Sequence, residues 1–225
     1  MKYYAIIVAG GSGNRMQQAI AKQFILLDGK PILMHTLQAF ASSELQPEIF
    51  LVMSRLQQDY WKSLCETHQF QIAHQLIDGG EQRFHSVRNG LLAIHGPGIV
   101  AVHDAVRPLI SPKLIVNSFL MAQQKGNAVA GIAPTDSVRR FLAPEKTEAL
   151  DRNDLVLIQT PQAFDLDMLR KAYQQPYTPF FTDDASVAEA AGYPIHIIEG
   201  ERTNIKITYP QDLDIAELYL RNKLK

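Results

Sequence analysis

Apolar and polar positions along this chain alternate between short, continuously apolar runs and longer segments of helical period. The continuous runs are Tyr3–Val8, Ile49–Met53, Ile99–Val102 and Ala128–Ala133. Runs of this kind are typical of strands buried on both faces of a parallel sheet. Between the first two, Pro31–Phe40 places Leu33, Leu37 and Phe40 on one helical face, with Pro31 in the first turn. Gln57–His68 has the mixed character of a surface helix, and Pro112–Lys125 reads as a further helix. Phe70–Ile77 is a weaker strand because several of its residues are polar, and Ile195–Glu199 is another strand. After Asp78-Gly79-Gly80 a helix runs through Val87 and Leu91. Leu155–Phe164 returns the chain to the core, Asp165 caps a short helix through Leu169, and Thr182-Asp183-Asp184-Ala185-Ser186 starts another. Pro210 opens a last helix whose apolar face is read as Leu213, Ala216, Leu218 and Leu220. One stretch breaks the rhythm. Ser137–Leu142, a turn at Ala143–Lys146 and Thr147–Asp151 read as a protruding hairpin, too polar for a core strand pair. The whole predicts an α/β fold around a mostly parallel sheet, with a hairpin arm at 136–154.

The bulk numbers narrow the partners. A chain of 225 residues can enclose one sizeable α/β core but not two comfortable domains, so 1–225 is read as a single domain. A net charge of −1 lacks the basic excess of a nucleic-acid surface. No apolar run approaches the roughly 20 residues that span a bilayer, and the N-terminus enters a strand without a leader pattern. Cys65 has no cysteine to pair with, which fits a reducing cytoplasm and argues against a thiolate metal site.

Chemistry concentrates after the first strand, at Ala9-Gly10-Gly11-Ser12-Gly13-Asn14-Arg15-Met16, with Lys22-Gln23 shortly beyond. Glycines directly after a strand let backbone N–H groups approach an anion, most often phosphate. Arg15 and Lys22 add the positive charge that a polyphosphate requires. A tight connection without ligand remains the plain alternative. A dinucleotide fingerprint needs a third glycine where Met16 stands and an acidic residue where the chain reads Met53-Ser54-Arg55. A P-loop needs Gly-Lys-Ser/Thr, which does not occur. The fourth strand delivers His103-Asp104-Ala105-Val106-Arg107-Pro108 at its carboxyl end, where ligands of open α/β sheets gather. Asp104 is the candidate for organising Mg²⁺, directly or through water, because magnesium favours carboxylate and phosphate oxygens together. An Asp104–Arg107 ion pair that fixes only the loop is the alternative. His103 is read as a packing residue, since a histidine there is more often a satisfied packing group than a base. Asp183 and Asp184 could bind metal, although adjacent carboxylates at a helix start more often serve the helix dipole. Lys206, flanked by Ile205 and Ile207, points away from those core positions, towards solvent or a site.

The glycine loop with Lys22-Gln23 resembles the signature of the sugar-nucleotide pyrophosphorylase superfamily. Gly79-Gly80-Glu81-Gln82-Arg83 with Ser86-Val87, His103–Pro108, Asp151-Arg152, Thr160-Pro161-Gln162 and Thr182–Ser186 narrow the match. Together, in order and along essentially the whole chain, they resemble the family of 2-C-methyl-D-erythritol 4-phosphate cytidylyltransferases of the non-mevalonate isoprenoid pathway. One departure is Ala21, where the family usually has proline before the Lys-Gln pair.

That resemblance implies a Rossmann-like, three-layer nucleotidyltransferase fold, CTP and 2-C-methyl-D-erythritol 4-phosphate as substrates, Mg²⁺ as cofactor, and a homodimer formed through the 136–154 arm. It implies that Gly10, Gly11, Ser12 and Gly13 cradle phosphate, and that Gly80, Arg83 and Ser86 line the nucleobase pocket. Arg15 and Lys22 would stabilise the triphosphate and transition state. Lys206, Thr182 and Arg152 of the partner subunit would position the attacking phosphate. Asp104 would organise magnesium and substrate, supported by Arg107. Two rivals remain: ribitol 5-phosphate cytidylyltransferase, which shares most of these motifs, and a CTP-binding sensor without turnover. A nicotinamide-dependent redox enzyme is disfavoured by the two missing fingerprint residues.

Overall fold

The computed structural model describes residues 1–10 and 20–223. Its central sheet has seven strands. In chain order these are β1 (Tyr3–Val8), β4 (Glu48–Met53), β5 (Gln75–Asp78), β6 (Ile99–Asp104), β7 (Asn127–Ile132), β10 (Leu157–Asp165) and β11 (Ile197–Glu199). Two short pairs stand outside it: β2 (Leu26–Leu27) with β3 (Lys30–Pro31), and β8 (Val138–Ala143) with β9 (Lys146–Leu150). The helices are α1 (Ile32–Ala41), α2 (Arg55–Thr67), α3 (Arg83–Ala93), α4 (Pro112–Lys125), α5 (Leu166–Ala172), α6 (Asp184–Ala190) and α7 (Gln211–Lys223).

The strand order is β11-β7-β10-β6-β1-β4-β5. All neighbours run parallel except β10, which is antiparallel to both β6 and β7. Strand periodicity sorts the apolar runs onto two faces. Ala5, Ile7, Leu51 and Ala101 pack with Leu33, Leu37, Phe40, Trp61, Ile115 and Phe119 from α1, α2 and α4. Tyr4, Ile6, Phe50, Val52, Val100 and Val102 pack with Phe84, Val87, Leu91, Leu169 and Val187 from α3, α5 and α6. Three layers result, and the runs are continuously apolar because both faces are covered. Gly90 lets α3 close on the sheet: a Cβ there would stand 3.0 Å from Ile6 and 3.2 Å from Val52. A third cluster, with Leu27, Val106, Leu109, Ile207 and Ala216, docks α7 beside the end of β6.

Helix ends follow local chemistry. Ser111 Oγ accepts from Leu114 N (3.0 Å), Pro112 occupies the first turn of α4, and Gly126 closes it at φ 88°. Asp165 caps α5 through Met168 N, and Asp183 with Ser186 forms a capping box on α6. The hairpin β8–β9 forms as expected and is largely exposed, with Phe141 at its surface.

Several elements differ from the sequence reading. Pro31 precedes α1 and pairs with Leu26 in the β2–β3 ladder. Of the expected Phe70–Ile77 strand only Gln75–Ile77 pairs, within β5, because Phe70 and His74 turn towards Trp61 and Ile72 packs on the same core cluster instead of a ladder. On α7, Leu213, Ala216 and Leu220 face the core with Tyr219, while Leu218 lies on the outer side, more than half exposed. Residues 213, 216 and 220 share a helical stripe that 218 does not.

Buried histidines tie stability to pH, His103 in the site and also His74 and His35. His74 Nδ1 bonds the Ile72 carbonyl at 2.7 Å and Nε2 accepts from Trp61 Nε1 at 3.0 Å, so the ring is neutral. Burial lowers the pKa of His74, and of His35, from the ordinary 6.5, against the pull of their backbone hydrogen bonds. A lowered folded-state pKa means that the unfolded chain takes up the proton first. Unfolding free energy is therefore expected to fall as pH drops from about 6.5 through the lowered values, and to be insensitive to these groups above that. Urea titrations across that window check it; a His74→Gln variant should show a shallower loss, and an unchanged slope would refute the assignment.

Candidate active site

The site lies where the carboxyl ends of β1, β4 and β6 meet. Val8 and Asp104 are register partners at those ends, and Ala105 N returns to Val8 O at 3.1 Å. The turn Lys22–Phe24 is drawn against the end of β1 by Gln23. Its buried Nε2 donates to Ala9 O and to Gln57 Oε1 of α2, both at 2.9 Å. Ala21, before that turn, has φ −60°, the value a proline ring would impose. The backbone conformation suited to the family's proline is therefore kept without it.

A second wall comes from the β5–α3 connection. Gly80 N donates to Ser86 Oγ at 3.0 Å, and Ser86 Oγ donates to Gln82 O at 3.2 Å. Gly80 has no room for a side chain: a Cβ would come within 2.3 Å of His85 Cβ and 3.0 Å of its backbone. The glycine lets this loop fold back onto α3 beside the cavity.

Two cavities adjoin here. The first, about 320 Å³, is bounded by Gly10, Lys22, Gly80, Arg83, Ser86 and Asp104, with Lys206 at its border. The second, about 240 Å³, has Arg107, Thr160, Gln162 and Thr182 in its wall, and meets the first at Arg83, Asp104 and Lys206. These three side chains form the partition. Asp104 Oδ2 lies 3.0 Å from Lys206 Nζ and 3.3 Å from Arg107 Nε, while Oδ1 is 3.9 Å from Arg83 Nε. Behind the partition, Arg83 Nη2 donates to Asp184 Oδ2 at 2.6 Å.

Charge dominates this floor. Burial alone would push the Asp104 carboxyl up, but Lys206, then Arg83 and Arg107, hold it well below the usual carboxylate range. Burial opposes the Arg83 guanidinium too, and Asp184 with Asp104 more than restores its charge. Arg107 donates from Nη1 to Asn204 O at 2.9 Å, and Asn204 Nδ2 donates to Thr160 O at 2.8 Å. Thr160 Oγ1 in turn accepts from Asp104 N at 3.1 Å, so the loop after β6 is tied to β10 and to the segment carrying Lys206. His103 is fully buried, against Phe40, and burial lowers its pKa to about 4. It is a neutral packing residue.

The chain thus brings together Gly10, Lys22, Gly80, Arg83, Ser86, Asp104, Arg107, Thr182 and Lys206. Gly11, Ser12, Gly13 and Arg15 lie outside the described residues. Arg152 stands apart, exposed, with Nη1 on Thr135 O at 2.8 Å, and borders neither cavity. The Asp104–Arg107 pair weighed as a loop-fixing alternative exists, but its carboxylate is shared with Lys206. Arg83 serves both cavities rather than the nucleobase side alone. Sequence reasoning gave no role to Gln162, whose Nε2 donates to Asp183 Oδ2 (2.8 Å) and whose Oε1 accepts from Ala185 N (2.8 Å), fixing the loop that presents Thr182. Nor did it find the Arg83–Asp184 pair; an acidic residue beside a capping aspartate was the available signal. No cluster of three metal-ligating side chains occurs among the described residues. Asp104 Oδ1, 3.9 Å from Arg83 Nε, can still serve one oxygen to a cation otherwise held by phosphate.

The three layers and a cationic floor shared by two adjoining cavities are the arrangement of an α/β nucleotidyltransferase. Comparison with known proteins gives the family. The chain matches IspD, 2-C-methyl-D-erythritol 4-phosphate cytidylyltransferase, over residues 3–222, and it belongs to that family. The 2-C-methyl-D-erythritol 4-phosphate cytidylyltransferase of Bacteroides fragilis is 50% identical over 216 residues, spanning 96% of this chain and 98% of that protein. The protein of the same name from Geobacillus kaustophilus is 36% identical, spanning 100% and 99%. Among solved structures, 4-diphosphocytidyl-2C-methyl-D-erythritol synthase from Anaerococcus prevotii superposes with TM-score 0.83 at 27% identity, covering 98% of this chain and 96% of that one. The Thermus thermophilus cytidylyltransferase gives TM-score 0.77 at 30% identity, covering 98% and 100%. No described helix is long and apolar enough to cross a membrane.

Proposed function

We infer that this chain transfers a cytidylyl group from CTP to 2-C-methyl-D-erythritol 4-phosphate, releasing pyrophosphate and 4-diphosphocytidyl-2-C-methyl-D-erythritol, in non-mevalonate isoprenoid precursor biosynthesis. The observation that carries this reading is the pair of cavities divided by Arg83, Asp104 and Lys206, one for each substrate. Gly80 and Ser86 lie in the first cavity, where backbone groups beside glycine can read a pyrimidine edge. Gly10 and Lys22 border the same cavity and receive the triphosphate, and Gly11, Ser12, Gly13 and Arg15, outside the described residues, are assigned to the same task by the family resemblance. Thr182 and Lys206 reach the second cavity and hold the acceptor phosphate, with Arg152 of the partner subunit.

The acceptor's phosphate oxygen attacks the α-phosphorus in line, and pyrophosphate leaves. That nucleophile is already ionised, so no residue need remove a proton. Negative charge grows on the α-phosphoryl oxygens and the leaving group, and preorganised cations stabilise it. Lys206 is held at the junction of the cavities by Asp104, and Arg107 fixes Asp104 from behind, so these groups need little rearrangement. Asp104 would help to hold Mg²⁺, directly or through water, and the ion would neutralise phosphate charge.

We read 1–225 as one domain and 136–154 as its dimerisation arm. Phe141 and Leu142 on the hairpin, and Val156, Leu157 and Ile158 just beyond it, are exposed apolar residues that a second copy would cover. We place the protein in the cytoplasm: Cys65 has no second cysteine in the chain to pair with, which suits a reducing compartment.

Purified protein with CTP, Mg²⁺ and 2-C-methyl-D-erythritol 4-phosphate is expected to release pyrophosphate, and an Arg15→Ala variant to lose most of that activity. Loss of one such cation corresponds to about 3 kcal/mol in the barrier, on the order of 100-fold. Release with ribitol 5-phosphate alone would move the assignment to that acceptor. Silence with both in a folded sample would leave a CTP sensor.

A further inference from the structure

Asp184 is fully buried, yet it borders neither cavity. Both of its oxygens are used: Oδ2 accepts from Arg83 Nη2 at 2.6 Å and Oδ1 accepts from Tyr173 OH at 2.6 Å. Tyr173 is itself fixed, its ring stacked on Phe84 at 4.7 Å and 21°, and Phe84 also stacks with Phe181 at 5.5 Å and 20°. The end of α5, the start of α6 and, 101 positions away in sequence, the start of α3 therefore converge on one carboxylate.

Arg83 faces a choice between two acids. Its Nη2 is on Asp184, while its Nε stands 3.9 Å from Asp104 Oδ1, beyond hydrogen-bond reach. Asp104 Oδ2 already serves Lys206 and Arg107. Were Arg83 released from Asp184, the nearest negative charge would be Asp104. Closing on it would occupy Oδ1, loosen Lys206 and shift the wall between the cavities. A carboxylate behind a long, rotatable cation is thus what keeps the partition in place.

We propose that Asp184 is a positioning residue for cytidylyl transfer, holding Arg83 back from Asp104 so that it stands as the common wall of both cavities, with Tyr173 securing Asp184 in turn. The proposal rests on the function inferred above. It differs from a purely structural ion pair in one readout. A structural pair alters the folded fraction, which scales apparent kcat and leaves KM values alone. A displaced common wall alters binding on both sides of it.

The test is steady-state kinetics on full-length protein with CTP and 2-C-methyl-D-erythritol 4-phosphate, with active enzyme counted by unfolding curves. Asp184→Asn, which keeps shape and removes charge, is expected to raise both KM values about tenfold and to lower kcat by a similar factor. In an Arg83→Gln background the same change should add nothing to the loss in kcat/KM, because its only route to the substrates is gone. Unchanged KM values, a shift in one KM alone, or multiplicative effects in the double variant would each overturn the proposal. Should Asp184→Asn not fold, Tyr173→Phe is read in its place. That variant keeps the stacked ring and removes only the hydroxyl, and is expected to move both KM values upward about threefold; no movement overturns the proposal. Native enzyme that turns over while these patterns fail refutes the role of Asp184 alone. Native enzyme that does not turn over refutes the inferred function, and this role with it.

Discussion

Replacing Asp104 with asparagine is expected to lower kcat at least about 100-fold while tightening the binding of pyrophosphate. The two effects have one cause. Asp104 is the carboxylate on which Lys206, Arg107 and, more distantly, Arg83 are arranged. Asparagine keeps the shape and leaves those cations without their countercharge. A site richer by one positive charge attracts anions more strongly, by roughly tenfold at the few-ångström separations involved. The same cations lose the fixed position from which they stabilise charge in the transition state, so tighter binding does not become faster reaction. Stability should fall too, by about 2 kcal/mol, less than for a dry buried pair because two cavities admit water. Initial rates, pyrophosphate inhibition constants and urea unfolding measure the three quantities. Pyrophosphate binding that weakens would sink the view of Asp104 as the charge anchor, and would point instead to a carboxylate acting on phosphate mainly through Mg²⁺.

The parts of this protein that were legible in its sequence are those governed by local rules. Pro112–Lys125 was read to the residue, and a serine cap, an N-terminal proline and a glycine stop are what bracket it in the structure. The runs of β1, β4 and β6 were legible because both faces are buried, and Asp104 stood out because it ends such a run. Direction was not legible: β10 is more polar than its neighbours, with Gln159, Thr160 and Gln162 in its middle, but nothing local marks it as antiparallel. Leu218 was misassigned because hydrophobicity was taken for facing, when the stripe is set by residues 213, 216 and 220. Long-range polar pairs were the least accessible. Arg83 and Asp184 are 101 positions apart, and each alone reads as an ordinary helix-start residue. The resemblance supplied roles for Thr182 and Lys206 that spacing could not. It did not supply the shared wall, which depends on how α3 and α6 approach each other.

Trp61→Ala is expected to destabilise the fold by about 3–5 kcal/mol, as large aromatic truncations in cores do. Trp61 is the buried side chain of α2, whose remaining residues are partly or fully exposed, so the helix is held to the sheet chiefly through it. It stacks on Phe24 at 6.3 Å and 18°, meets Phe70 edge-on at 5.8 Å, and donates to His74 Nε2 at 3.0 Å. Removal leaves a cavity and an orphaned imidazole acceptor together, and the two costs add. The consequence reaches the site, because Phe24 and Gln23 belong to the turn that carries Lys22, and Gln57 of α2 is one of the partners of Gln23. With α2 loosened, the turn loses two of its fastenings. At temperatures where the variant is still folded, KM for CTP should rise several-fold while KM for the polyol phosphate changes little, since Lys22 borders the first cavity and not the second. Trp61→Phe, which keeps the aromatic contacts and loses the indole N–H, should cost about 1–2 kcal/mol and leave KM for CTP nearly unchanged. Urea unfolding and kinetics on both variants decide it. A loss below about 1 kcal/mol for Trp61→Ala would mean that α2 is fastened elsewhere. Equal shifts in both KM values would mean that the turn is not the route from α2 to the site.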